Sequence, residues 1–159
     1  MARLLVTIDV PGDPKDVFDY LSDFSNTAEW DPTVAEAERL DDGKVGLASR
    51  FRVVVSFFGT TSEFNYRLTA FERPHRFRLE GGNGWVVSED DIAVTPVAGG
   101  VRVTYDANLR LPFYLRPLDP LLQTAFQWAS SGTIESLRES LRSRARMRKK
   151  PLTTRSPRG

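Results

Sequence analysis

Asp90, Tyr66 and Tyr105 are the residues of this 159-residue chain whose types and setting could do chemistry. Each lies in a stretch where apolar and polar residues alternate, the signature of a half-buried strand. Strict alternation through Ile92 and Val94 puts Asp90, Ser88 and Val86 on the same, inward face. An inward carboxyl is costly unless paired. It would either orient a ligand hydroxyl or, with its pKa raised by burial, act as an acid. The run Glu89-Asp90-Asp91 reads better as a solvated or edge stretch, with a bulge reversing the phase. Tyr66 and Tyr105 are the stronger source of pocket polarity, because each offers an apolar ring and one hydroxyl.

Other chemistries find little footing. His75 is the sole histidine and follows Pro74 in a turn, a poor place for a protected acid–base group. Ser-His-Asp catalysis is therefore not expected. With no cysteine, one histidine and no spaced carboxylate cluster, no metal site is expected, and no cofactor is implied. Gly81-Gly82-Asn83-Gly84 lacks the Lys-Ser/Thr ending and following helix of a phosphate loop and reads as a hairpin turn.

The elements that must position these residues are legible. Leu4, Val6, Ile8 and Val10 alternate as a first strand. Asp13-Pro14 then starts a helix to about Ser22, with Val17, Phe18 and Leu21 as its buried stripe. A second short helix is expected from Asn26, which pairs with Glu29 as a capping box, and must stop near Trp30 because Asp31 precedes Pro32. Strands follow at about 33–40, 47–58, 61–71, 75–82, 85–96 and 100–111, joined by short turn-rich separators that favour antiparallel hairpins. One sheet face is apolar and must be covered. Asp119-Pro120 repeats the helix-start signal, and a long helix to about Arg146 carries the stripe Leu122, Ala125, Phe126, Ala129, Thr133, Leu137 and Leu141. The order gives an α+β domain over residues 1–147, without βαβ alternation.

The net charge of +1 hides an asymmetry. Residues 142–159 hold eight Lys/Arg and no acid, leaving 14 basic against 21 acidic residues before them. Residues 148–159 are expected to form a basic, disordered tail. Arg142–Arg158 could touch an anionic membrane weakly, each charge worth on the order of 1 kcal/mol, or serve only as a solubilising extension. No aromatic residues interleave with these charges, so no nucleic-acid partner is expected. No stretch reaches transmembrane length, and the N-terminus lacks a signal-peptide pattern. A cytoplasmic protein, as monomer or homodimer, is the plain expectation, with the inner membrane face as a peripheral alternative.

Residues 8–34 carry a resemblance. The strand–Pro-x-x-Pro–helix opening, the Leu21-Ser22-Asp23-Phe24 helix end, the Glu29-Trp30-Asp31-Pro32 segment, the Gly99-Gly100 hairpin exit and the Asp-Pro start of the last helix resemble the START-like (SRPBCC, polyketide cyclase/dehydrase and lipid-transport) superfamily over about residues 3–145. The resemblance implies a helix-grip fold: a curved antiparallel seven-stranded sheet wrapped around a long C-terminal helix, with two short helices after strand 1. It also implies a cavity between sheet and helix. The helix residues Ala125, Ala129, Gly132, Thr133 and Ser136 are small. Either they leave volume for a ligand or they let the helix sit closer to the sheet. Read as a cavity, the expected ligand-binding residues are Phe24, Trp30, Phe51, Val53, Val55, Phe64, Tyr66, Tyr105, Ala125, Ala129 and Thr133. Trp30 would be a lid or wall residue, or an anchor of the short helices, and Asp31 would brace its turn. The expected function is binding or transport of a lipid or other hydrophobic small molecule. The alternative is a polyketide cyclase or dehydratase that folds a bound chain into a reactive shape, with a tyrosine or Asp90 shuttling protons.

Overall fold

The computed structural model describes residues 2–57 and 59–149, without the side chains of residues 57, 126, 128–130 and 149. Seven strands form one antiparallel sheet: β1 (Ala2–Val10), β2 (Val34–Arg39), β3 (Arg50–Phe57), β4 (Thr60–Glu72), β5 (Arg76–Gly82), β6 (Val87–Val97) and β7 (Gly100–Arg110). Their spatial order is β1-β7-β6-β5-β4-β3-β2, so consecutive strands pair as hairpins and β1 closes onto β7. Register shifts at Val34/Glu36 and at Leu68/Ala70 mark bulges, which bend a sheet and tighten its twist. The concave face receives α1 (Pro14–Ser22), α2 (Thr27–Trp30) and the long α3 (Asp119–Lys149). This is the helix-grip fold.

Local chemistry explains the boundaries. The Asp13 carboxyl accepts from the amides of Lys15 (2.9 Å) and Asp16 (3.3 Å), and Pro14 occupies the first helical position. Asn26 does not cap α2. Its amide donates to the Tyr20 carbonyl at 3.0 Å, while Glu29 accepts from the Tyr20 hydroxyl at 2.7 Å, so the expected capping box is spent tying α2 to α1. β3 begins at Arg50 rather than 47, because Ala48 takes a positive φ of 71° and ends the extended run. β6 begins at Val87 rather than 85, because the Asn83 side chain accepts from the amides of Trp85 and Val86 and holds them in a turn. A 3-10 helix over Phe113–Leu118, with Pro117 inside it, precedes α3.

The core is densest beneath α1. Phe18, fully buried, meets Phe71 and Phe77 edge-on, each at 5.3 Å between centroids. Leu68, Leu79, Ile92, Val94, Val101 and Val103 complete this block. The C-terminal half of α3 joins it through the buried Leu137 and Leu141. Arg144 lies over the Tyr20 ring at 4.1 Å, and Arg148 pairs with Asp16. Two cations of the basic stretch therefore turn back onto α1. Of the tail expected to be disordered over residues 148–159, Arg148 and Lys149 instead continue α3, and residues 150–159 lie outside the described residues. At the other end of α3, the Gln123 amide accepts from the Arg3 backbone N–H (2.8 Å) and donates to its carbonyl (2.9 Å). One side chain thus satisfies part of the open edge of β1, as a neighbouring strand would. Among the described residues, no helix is long and apolar enough to cross a membrane.

Candidate functional site

The two ends of the inner sheet face differ in what they carry. On β6 the inward positions run Val94, Ile92, Asp90, Ser88, all buried. On β5 they run Phe77, Leu79 and then Gly81, where a Cβ would sit 2.6 Å from both Asn65 O and Tyr66 Cδ1. The large apolar residues lie beneath α1, and the small and polar ones beneath the first half of α3. There the sheet and α3 separate to leave a cavity of about 410 Å³. Its walls are mostly apolar: Leu4, Val6 and Ile8 of β1, Val103, Ala107 and Leu109 of β7, and Leu122, Ala125, Ile134 and Leu137 of α3.

A polar group crosses this apolar space. Asp90 is buried and accepts from the Ser88 hydroxyl (Oδ1, 3.1 Å) and the Tyr105 hydroxyl (Oδ2, 3.2 Å). Burial pushes its carboxyl up to about 7, against those two hydrogen bonds, which favour the ionised form. The same burial, reinforced by the Asp90 charge, raises the hydroxyls of Tyr66 and Tyr105 above the ordinary tyrosine range. The reversed phase expected of Glu89-Asp90-Asp91 is thus corrected: alternation holds without a bulge between Val87 and Val97. The flanking acids point outward and are paired, Asp91 with Arg76 and Arg78, Glu89 with Arg110. Cross-strand arginines absorb two of the three acids, so only Asp90 loses its water.

Asp31 forms a second polar point. Its Oδ1 accepts from the Thr33 amide (2.9 Å), the Thr33 hydroxyl (2.7 Å) and the Thr133 hydroxyl (3.1 Å). It braces its own turn, as expected, and also fastens that turn to α3 while lining the cavity. Trp30 is both wall and anchor: it is buried, lines the cavity and meets the Tyr105 ring edge-on at 6.2 Å.

Of the residues expected to bind ligand, Trp30, Val55, Phe64, Tyr66, Tyr105, Ala125 and Thr133 line the cavity. Phe24, Phe51 and Val53 do not; they are packed into the closed core, Phe24 edge-on to Phe51 at 6.3 Å and to Tyr66 at 5.2 Å. The Ala129 side chain, like that of Phe126, lies outside the described residues. Gly132 is exposed and does not face the sheet, and Ile134 takes the inward place expected of it. Sequence reasoning missed Thr60, Ser62 and Asn83, which line the cavity from the turn end of the sheet. The Asn83 amide donates to the Ser62 hydroxyl at 2.9 Å across that end. A usable signal was the asparagine in a glycine-rich turn beside a strand. His75 stays in the turn at the far rim, its backbone carbonyl accepting from Val94. Among the described residues no cluster of three His, Asp or Glu could hold a metal ion.

Comparison with known proteins places this geometry. Residues 1–142 match the model of the family "polyketide cyclase / dehydrase and lipid transport". An uncharacterised protein of Mycobacterium tuberculosis strain H37Rv is 28% identical over 137 residues, covering 85% of this chain and 92% of its own length. The crystal structure of TTHA0849 from Thermus thermophilus superposes with a TM-score of 0.74 at 18% identity, over 90% of this chain and 99% of that one. The Zhui aromatase/cyclase from Streptomyces sp. R1128 superposes with a TM-score of 0.72 at 14% identity, over 94% and 98%. At such identities the superpositions speak to the fold alone. With the family model spanning all seven strands and most of α3, the chain belongs to the polyketide cyclase/dehydrase and lipid transport family.

Proposed function

We propose that this protein binds a hydrophobic small molecule between the sheet and α3, with the guest's polar group at Asp90 and Tyr105. The observation that carries the reading is the cavity of about 410 Å³, within the range of small-molecule sites, lined mainly by apolar side chains around a few convergent polar ones. An unfilled apolar volume of this size costs stability unless a guest occupies it. Native mass spectrometry of the purified full chain tests this. A stoichiometric small molecule, extractable into organic solvent, is the expected result. The Ala107→Phe variant, which pushes a ring into the cavity, should emerge without it. Guest-free wild-type protein that also takes up no neutral apolar dye would overturn the reading.

A second reading has an observation of its own. A buried carboxyl titrating near 7, bonded to a tyrosine inside an apolar cavity, suits proton transfer to or from a bound poly-ketone chain. Here the cavity folds the chain and Asp90 carries the proton. An Asp90→Asn variant that binds such a chain but no longer speeds its cyclisation or dehydration supports this reading. Equal rates for variant and wild type leave binding alone.

A further inference from the structure

We infer that the cavity sorts its guests by charge: it takes an apolar molecule whose polar group donates hydrogen bonds, a hydroxyl or an ammonium, and refuses one that ends in a carboxylate. This rests on the binding reading above and names the guest's chemical class. The wall contains two carboxyl groups, Asp31 and Asp90, and among the described residues no lysine, arginine or histidine. The nearby strand arginines are spent outside the cavity: Arg3 on Asp106, Arg76 and Arg78 on Asp91, Arg110 on Glu89. The hydroxyls nearest the two carboxyls are also spoken for. The hydroxyls of Ser88 and Tyr105 donate to Asp90, and those of Thr33 and Thr133 donate to Asp31. The remaining side-chain donors of the wall are all neutral: the Tyr66 hydroxyl, bonded with Ser88, the hydroxyls of Thr60 and Ser62, the Asn83 amide, bonded to Ser62, and the buried indole N–H of Trp30, which has no hydrogen-bond partner among the described residues.

An anion entering this space would leave water, meet two acids and find no cation, a combination of desolvation and like charge that rejects it. A hydroxyl or ammonium finds carboxyl oxygens with lone pairs to spare. The groups facing Asp90 are Tyr105 from β7, Tyr66 from β4, Asp31 beyond α2, and its own neighbours Ser88 and Glu89; none supplies a positive charge. Ionisation of Asp90 near neutrality therefore favours an ammonium guest as pH rises.

The test uses three probes with the same chain, dodecylamine, 1-dodecanol and dodecanoate, displacing a neutral apolar dye from the full-length protein. At pH 8 the amine and the alcohol should each bind at least about tenfold tighter than dodecanoate. Affinity for the amine should rise about tenfold between pH 6 and pH 8, as Asp90 passes from mostly protonated to mostly ionised, while the alcohol changes little. In Asp90→Asn that rise disappears and dodecanol still binds. Should that variant fold poorly, Asp31→Asn serves instead, by narrowing the ratio of amine to dodecanoate affinity. Dodecanoate binding as tightly as the amine at pH 8 overturns the inference and leaves the binding reading intact. Failure of all three probes, and of the dye itself, removes both.

Discussion

The inner face of the sheet borders two different interiors. Beneath α1 it carries Phe77, Leu79, Ile92 and Val94, closed over by Phe18. Beneath the first half of α3 the same strands carry Gly81, Ser88 and Asp90, and the described residues leave a cavity there. The strands do not change conformation between the two; the residue sizes and polarities do. One end holds the fold together by close packing, and the other forgoes packing to hold a guest. Stability and binding should therefore respond to substitutions at different ends, and in opposite senses to added volume.

The largest effect is expected of Phe18→Ala at the packed end. It removes the ring shared by Phe71 and Phe77 and should cost about 3–5 kcal/mol, read as a lower denaturant midpoint with an unchanged slope. Guest affinity per folded molecule should barely move.

Asp90→Asn probes the hollow end. The folded carboxyl titrates near 7, above its ordinary value of 3.8, so the folded state holds a proton that the unfolded state has lost. Its stability contribution is present at low pH and is lost as pH rises, at roughly 1.4 kcal/mol per unit between about pH 4 and 7. The variant should be more stable than wild type at pH 8 by up to about 4 kcal/mol, and the advantage should vanish by pH 4. Denaturation curves at the two pH values check this. An equal difference at both would mean that Asp90 is not the titrating group.

Ala125→Leu acts on the helix wall of the cavity. It adds volume where the wall is open, so it should change stability by less than about 1.5 kcal/mol while weakening dye uptake. A stability loss like that of Phe18→Ala would mean that the space is already full. The smallest effect is expected for Gln123→Ala, about 1 kcal/mol from two lost hydrogen bonds to Arg3. Hydrogen exchange should quicken at the start of β1 and stay slow around Val94 and Val103.

Much of this division could be read in advance. Periodicity located every strand, and Asp13-Pro14 and Asp119-Pro120 located α1 and α3, because those signals are local. The 3-10 helix over Phe113–Leu118 escaped because Pro112 and Pro117 disrupt any helical period. Asp90 was legible by alternation alone, but the cost of burying a carboxyl argued the other way. Deciding needed the cross-strand partners of Glu89 and Asp91, and register is not a local property. The cavity's turn-end residues Thr60, Ser62 and Asn83 were out of reach for a related reason. They meet the guest space only because the sheet bends, and bending accumulates over several strands and two bulges. Along α3, a small error in phase grows with each turn, which is how Gly132 came to be assigned to the wrong side.

Gly81 shows how little it takes to shape such a space. It sits opposite Tyr66 in the register, and the ring lies against the bare backbone where a methyl group would have stood. The orientation of a phenol on one strand is thus granted by an omission on the next. Substituting alanine there would press on the backbone oxygen of Asn65 as well as on the ring, so the two strands must part and the ring must tilt, and both movements redraw the room left for a visitor. A single carbon added outside the guest's reach would alter what the guest encounters, at a cost to the pairing of the two strands.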